Sequence, residues 1–270
     1  MQHISQIIDG VVVQKANKFP VYIISKGRYE KTLTADIMAA NNIDYLIAVE
    51  PQEYDLYCEK LGSKHVLKLP FANLGVGSFP ARNFCWEHAK ENGYKYHWLF
   101  DDNILFWMKW INGKRMKLDN IVQGLIYVEN FVIKNNITIG GFEEPNFVVK
   151  VPPRAFKRNC HVYSAMLIKN DIPFRWRLKY NEDVDLCLQV LHNGGSTASC
   201  VYYMANKVST ADKMKGGNQT ELYQGNSASK NLLKAKMLEA VWPQYAKTVI
   251  RFKRHHHLVD WKVFKKKNQR

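Results

Sequence analysis

Between Phe19 and Leu69 the chain alternates three short apolar, β-branched runs with two segments of helical periodicity. No other feature narrows the fold as much. The first run, Phe19 to Ser25 (FPVYIIS), stops at Lys26-Gly27-Arg28. Tyr29 to Asn41 then carries Leu33, Ile37 and Ala40 at helical spacing. Tyr45 to Val49 (YLIAV) is a second strand, broken by Glu50-Pro51, and Gln52 to Leu61 is a helix closed by Gly62. His65 to Leu69 makes a third strand. Runs that are apolar on both faces suit parallel strands covered on each side by helices. The pattern predicts an α/β fold, a doubly wound and mostly parallel sheet with helices on both faces.

Further along, the loop Gly75-Val76-Gly77-Ser78 precedes Pro80, which is placed to open a helix through Ala89. The strand Tyr96 to Phe100 ends abruptly in Asp101-Asp102-Asn103. A second region offers an aromatic strand from Ile104 to Ile111, a hairpin at Asn112-Gly113 and a helix near Asp119 to Asn135. Strands are predicted near Thr138 to Gly140, Phe147 to Val151 and His161 to Ile168. Asn181, as N-cap, starts a helix that runs through Leu186 to His192. Ala211 to Ser229 is polar and glycine-bearing and reads as a mobile loop, followed by a helix around Asn231 to Ala240.

Charge is the next constraint. Lys and Arg number 39 against 24 Asp and Glu, a net charge of +15 over 270 residues. Such a surface attracts polyanions, nucleic acid foremost. From Trp242 onward nine Lys or Arg residues stand against Asp260 alone, giving this stretch eight of the fifteen net charges. Five cysteines, scattered and without a CxxC pair, read as buried thiols in a reducing compartment, not as a disulfide framework or zinc site. No run approaches the roughly 20 apolar residues of a membrane span, and Met1 to Lys18 does not read as a secretory signal. A soluble, cytoplasmic protein is the expectation.

Two acidic segments carry candidate chemistry. Asp101-Asp102-Asn103, at the carboxyl end of a central strand, would lie in the crevice where open α/β sheets bind ligands. Consecutive oxygen-bearing side chains suit a hard cation such as Mn²⁺ or Mg²⁺, and equally a turn bonded to its own backbone. In Asn181-Glu182-Asp183-Val184-Asp185, acids in a first helical turn are favoured by the helix dipole, and an ionised carboxylate there also suits a general base. His255-His256-His257 reads as part of a basic strip, because three adjacent histidines cannot all face one ion. Phe106, Trp107, Met108 and Trp110 read as core.

Strand then Ser25-Lys26-Gly27-Arg28, strand then Glu50-Pro51, Ala81-Arg82-Asn83 on a helix, Asp101-Asp102-Asn103 and Glu182-Asp183-Val184-Asp185-Leu186 follow in an order that resembles nucleotide-sugar glycosyltransferases of the GT-A fold. The resemblance covers about residues 19 to 205. Within that superfamily, Ser25-Lys26-Gly27-Arg28, Asp101-Asp102-Asn103 and Lys215-Gly216-Gly217-Asn218 look like the TET-associated glycosyltransferases of bacteriophages. The resemblance implies transfer of a sugar from a UDP-sugar to 5-hydroxymethylpyrimidine, 5-hydroxymethylcytosine first, in double-stranded DNA.

By the same resemblance, Asp101 contacts the ribose or a divalent cation, Mn²⁺ or Mg²⁺, which Asn103 or Asp102 helps to hold. Asn103 stands where the motif's third position is usually a carboxylate. Ser25, Lys26, Arg28, Glu50 and Arg82 join Asp101 and Asp102 around the donor nucleotide, and Asp183, then Glu182, serve as the catalytic base. Gly216, Gly217 and Asn218 form a lid loop, and Lys253, Arg254, Lys265, Lys266 and Lys267 contact nucleic acid. The corresponding division is a leader (1–18), a catalytic domain (19–210) with a nucleotide-binding half (19–103) and an acceptor half (104–210), and a mobile loop with a basic C-terminal extension (211–270). Two other functions fit the sequence: a glycosyltransferase acting on a protein, lipid or cell-surface glycan, and a non-catalytic nucleic-acid-binding protein.

Overall fold

The computed structural model describes residues 5–8, 11–14, 17–208, 214, 216–217 and 227–267. Strands β1 (Ser5–Ile8) and β2 (Val11–Gln14) pair as an antiparallel ribbon. The alternating region forms β3 (Val21–Ile24), α1 (Leu33–Ala40), β4 (Tyr45–Val49), α2 (Tyr54–Leu61), β5 (Val66–Lys68), α3 (Phe79–Glu91) and β6 (Tyr96–Asp101). Strands β5, β4, β3 and β6 lie side by side and parallel. The chain builds outward from β3 to β5, then returns through α3 to set β6 on the other side of β3. This reversal is a topological switch point, and it opens a crevice at the carboxyl ends of β3 and β6.

The second region supplies β7 (Ile104–Ile111), β8 (Lys114–Lys117), α4 (Val122–Lys134), β9 (Ile139–Glu143), β10 (Phe156–Arg158), β11 (Ala165–Lys169), α5 (Glu182–His192) and β12 (Thr197–Lys207). They extend the sheet to ten strands in the order β5-β4-β3-β6-β11-β9-β12-β7-β8, with β10 on β12. Strand β11 is antiparallel to both β6 and β9, and β12 is parallel to β9, so β9 and β12 keep the direction of the first four strands.

Helices cover both faces. Val21 and Ile23 pack with residues of α1, α2 and α4, whereas Tyr22 between them packs with residues of α3 and α5. The period-2 alternation of a strand thus feeds two cores, as a sheet buried on both sides requires.

The C-terminal region folds as α6 (Ser227–Val241), a hairpin of β13 (Ala246–Arg251) and β14 (Arg254–Val259), and α7 (Lys262–Lys267). It is docked on α5, where Val184, Leu188 and Leu191 meet Leu238, Trp242, Ala246 and Phe264. The polar centre of this contact is Asp185, fully buried. It accepts hydrogen bonds from Trp242 Nε1 (2.7 Å), Gln189 Nε2 (2.8 Å) and the Arg177 guanidinium (3.0 Å).

Several sequence expectations differ from the structure. Phe147 to Val151 is not a strand: a 3₁₀ turn at Pro145–Phe147 leads into irregular chain, with Phe147, Val149 and Val151 exposed. Prolines at 145 and 152–153 bracket it and keep it off the ladder. Of His161 to Ile168 only the end from Ala165 is strand, because Ser164 takes a positive φ of 62° and turns the chain. Asn181 does not cap α5 with its side chain; its φ is 55° and its amide donates to Lys234 O (2.9 Å). The eleven-residue β12 and the β13–β14 hairpin carried no strand prediction. All five cysteines are free, and Cys85, Cys187 and Cys200 are buried. Among the described residues, no helix is long and apolar enough to cross a membrane.

Replacing Asp185 by Ala strands a buried indole N–H and is expected to cost about 2–3 kcal/mol. Urea unfolding measures it, and a loss below about 0.5 kcal/mol would show that Asp185 does not anchor the C-terminal region.

Candidate functional site

A cleft opens at the carboxyl ends of β3, β4 and β6 and gathers residues from well-separated segments. Its walls include Ser25, Lys26 and Arg28 after β3, Glu50 after β4, Asp101, Asp102 and Asn103 at the end of β6, Arg82 on α3, Glu182 on α5 and Lys207 on β12. The loop Gly75, Gly77 and Ser78, with Phe71 and Leu74, forms an adjoining wall.

The two aspartates of the β6 turn have different surroundings. Asp102 is buried; its Oδ1 pairs with the Arg28 guanidinium and its Oδ2 accepts from Ser25 Oγ at 2.6 Å. Burial pushes its carboxyl above the ordinary carboxylate value, against the opposing pull of Arg28. Asp101 is partly exposed, and Arg82 Nη2 contacts its Oδ1 at 2.9 Å. Asn103 donates its amide to Val208 O (2.8 Å), while its buried Oδ1 has no hydrogen-bond partner among the described residues.

This set bears on a cation. Both Asp102 oxygens are engaged within the protein, whereas Asp101 is engaged through one oxygen and Asn103 holds an orphaned one. A carboxylate and an amide oxygen fit a magnesium-like ion that completes its shell with phosphate oxygens and water. Among the described residues no three His, Cys, Asp or Glu side chains cluster as a protein-held metal site.

Cations in the cleft are matched by acids. Lys26 Nζ contacts Glu50 at 2.9 Å and donates to Asn73 Oδ1 at 3.1 Å. Burial alone would raise the Glu50 carboxyl, but hydrogen bonds from Lys26 and Gln52 outweigh it and hold it low. Arg82 is nearly enclosed, reaching Glu182 Oε1 at 3.5 Å as well as Asp101, with its guanidinium 4.8 Å from the centre of the Trp176 ring. Lys207 Nζ donates to Ser164 Oγ (2.6 Å) and meets Glu144 Oε1 (3.1 Å).

At the start of α5 two neighbouring carboxylates are driven apart. Burial raises Glu182, with Arg82 opposing and the Asp183 charge adding to the rise. Burial acts upward on Asp183 too, but His161, Arg82 and the Val184 N–H outweigh it and hold this carboxyl well below the ordinary range. His161 Nε2 lies 3.1 Å from Asp183 Oδ2. The His161 ring stacks between Tyr163 (4.6 Å) and Trp261 (6.0 Å). Tyr163 donates to the buried Glu143 Oε1 at 3.0 Å.

The predicted lid glycines are placed as far as Gly217; Asn218 lies outside the described residues. Gly217 N donates to Lys26 O (2.6 Å), and Arg28 Nη2 donates to Gly216 O (3.3 Å). Both glycines have positive φ, and a Cβ on Gly216 would stand 2.3 Å from Gly27 O, so the pair lies against the β3 turn at a distance only glycine permits. Lys253 and Arg254 sit exposed at the β13–β14 turn, and Lys265 is exposed on α7. The side chains of Lys266 and Lys267 lie outside the described residues.

Sequence reading did not single out Lys207, His161, Tyr163, Glu143, Glu144 or Trp261. Lys207 had one available signal: the Val201-Tyr202-Tyr203 run after Gly194-Gly195 marks a strand, and strand ends in this fold face the crevice. His161 and Tyr163 had none, because Ser164 turns them out of the strand that the pattern predicts.

The switch-point crevice, the Asp101 turn and the first turn of α5 thus meet at one cleft. Residues 19–217 match the TET-Associated Glycosyltransferase family, and the chain belongs to that family. It is an enzyme, a glycosyltransferase. No curated protein matches the chain. Among solved structures, the chain is similar to a Desulfovibrio desulfuricans G20 protein described as a nucleotide-diphospho-sugar transferase, with 12% identity, a TM-score of 0.35 and coverage of 62% of this chain and 73% of the other.

Two measurements test this geometry. Asp102→Asn is expected to lower stability by about 3 kcal/mol by removing the carboxylate charge that faces the buried Arg28 guanidinium. Asp101→Asn is expected to cost only about 1 kcal/mol, since Glu182 remains beside Arg82; the reverse order in chemical unfolding would contradict the assigned roles. The low Asp183 value also has a pH signature. Its stabilisation is present above the unfolded aspartate value near 4 and is lost as pH falls through the lower folded value. Asp183→Asn should therefore flatten the stability curve below about pH 4, and an unchanged slope would contradict the His161 pairing.

Proposed function

We propose that the protein transfers a sugar from a UDP-sugar to the hydroxyl of 5-hydroxymethylpyrimidine, 5-hydroxymethylcytosine first, in double-stranded DNA. The observation that carries the reading is the Arg82 bridge, in which one guanidinium contacts both Asp101 of the β6 turn and Glu182 of α5. Family membership supports the DNA acceptor, and the net charge of +15 is consistent with holding a polyanion.

In this reading Lys26 and Arg82 bind the donor diphosphate, and Arg28 with Ser25 holds the Asp102 turn in shape. Glu50 lies at the end of β4 beside the nucleotide. Asp101 faces the ribose, or with Asn103 a divalent cation, Mn²⁺ or Mg²⁺, that would neutralise the departing diphosphate. The acceptor hydroxyl oxygen bonds to the anomeric carbon as the bond to the diphosphate oxygen breaks. Asp183 takes the hydroxyl proton, with Glu182 second in order, and UDP carries away the bonding electron pair. Fixed cations at the leaving group act where charge develops and need no reorganisation.

The decisive experiment incubates the enzyme with Mn²⁺, a panel of UDP-sugars and duplex DNA containing 5-hydroxymethylcytosine or 5-hydroxymethyluracil, followed by nucleoside mass spectrometry. A hexose or N-acetylhexosamine gain is expected, with Asp183→Ala reduced about 10²–10⁴-fold and Asp101→Ala also impaired. Donor hydrolysis without any gain on DNA would move the acceptor to a protein, lipid or glycan.

A further inference from the structure

The β13–β14 hairpin presents an aromatic side chain where such a turn ordinarily holds the smallest residues. Arg251 pairs with Arg254, leaving Phe252 and Lys253 as a two-residue turn, both at positive φ (50° and 59°). The β7–β8 hairpin provides an internal comparison. Its turn has the same form, but the residues are Asn112 and Gly113 at 49° and 76°, the pair this geometry favours. A bulky residue in that region is strained, and burial does not compensate, because Phe252 is 90% exposed. Strain kept without a packing return points to function.

The surroundings indicate what Phe252 meets. Arg251, Lys253 and Arg254 flank it, all exposed, and no acidic residue occurs from Ala246 to Val259. In the hairpin register Thr248–His257 and Ile250–His255 share one face. The end of the hairpin away from its turn lies by the proposed base, because Trp261, just past β14, stacks on His161, and His161 contacts Asp183 at 3.1 Å. Toward the turn, about 7 Å along the strand from Thr248, Ile250 is 70% exposed. The hairpin therefore starts by the proposed base and runs out past the body to Phe252. The hairpin also lies beyond residues 19–217, the span shared with the family.

We propose that this hairpin is a finger that enters the DNA duplex. Arg251, Lys253 and Arg254 hold phosphates, while Phe252 stacks into the base step beside the extruded hydroxymethylpyrimidine. The proposal rests on the DNA-acceptor reading above. A two-stranded ribbon fits the major groove, where the pyrimidine C5 substituent lies. A base must leave the stack to reach a recessed site, and an aromatic side chain replaces the stacking it loses.

The test uses a 5-hydroxymethylcytosine duplex with 2-aminopurine next to the target, and the same strand unpaired. Wild type is compared with Phe252→Ala and with a double variant, Phe252→Asn and Lys253→Gly, that restores the favoured turn pair. The double variant should melt no lower than wild type, so its defect cannot be assigned to unfolding. The expected result is 2-aminopurine brightening with wild type alone, and a loss of about tenfold or more in duplex transfer, relative to the single strand, in both variants. Variants that keep the wild-type brightening and duplex-to-single-strand ratio overturn the finger while leaving the DNA acceptor intact. Wild type that hydrolyses donor but glycosylates neither DNA form overturns the acceptor reading, and the finger with it.

Discussion

Arg82 carries a charge that the fold has enclosed, and the site is arranged around satisfying it. Removing a guanidinium from water costs several kcal/mol unless carboxylates and hydrogen bonds replace the lost hydration. Here the replacements come from separate parts of the chain: Asp101 after β6, Glu182 at the start of α5, Ser78 before α3 and the Trp176 ring. Because α5 is also held by Leu186, Cys187 and Val190 in the core beneath, its first turn is positioned by apolar packing and by charge together. A diphosphate that draws on Arg82 therefore acts on Glu182 without any moving part. Weakening the Arg82 contact removes the one influence that lowers the Glu182 carboxyl most strongly. In the proposed reaction, donor occupancy and the proton affinity of Glu182 would be linked through a single side chain.

The remaining charges divide into frame and function. The Arg28–Asp102 pair is buried on both sides, tied to Ser25 and capped by Gly216 O, so it spends its charge inside the protein. Lys26 and Lys207 are only partly covered and meet acids that are themselves on the cleft wall. An incoming anion can compete for these cations far more cheaply than for Arg28. The consecutive aspartates of the β6 turn thus take opposite roles because one points its charge into a buried pair and the other into a half-open contact.

The donor half was legible because its physics is local. Buried parallel strands require continuous apolar runs, and these end at polar residues that the sheet topology must carry to one edge, so the pattern marked the strand ends and the family resemblance brought Ser25, Glu50 and Asp101 together there. The acceptor half was not. Thr197–Lys207 mixes Ala198, Ser199 and Cys200 with tyrosines, and neither alternation nor a β-branched run marks its full length, although the strand is central and parallel to β9. His161 is brought to Asp183 by a positive φ at Ser164, a conformation no residue preference announces. Asp185, beside the predicted base in sequence, faces the opposite task, and only the packing of Trp242 shows it.

The boundary of the family-shared span has a structural meaning. It ends at Gly217, the residue whose N–H meets Lys26 O where the glycine pair lies against the β3 turn. Every residue that lines the cleft falls within that span. What residues 227–267 add falls on the other side: Trp261 stacks on His161, His257 lies within the field of Asp183, and Lys234 within that of Glu182. None of the three lines the cleft. In the proposed reaction, this extension, held to α5 through a buried carboxylate and bearing on the same helix's first turn, would act on the acceptor side of the cleft.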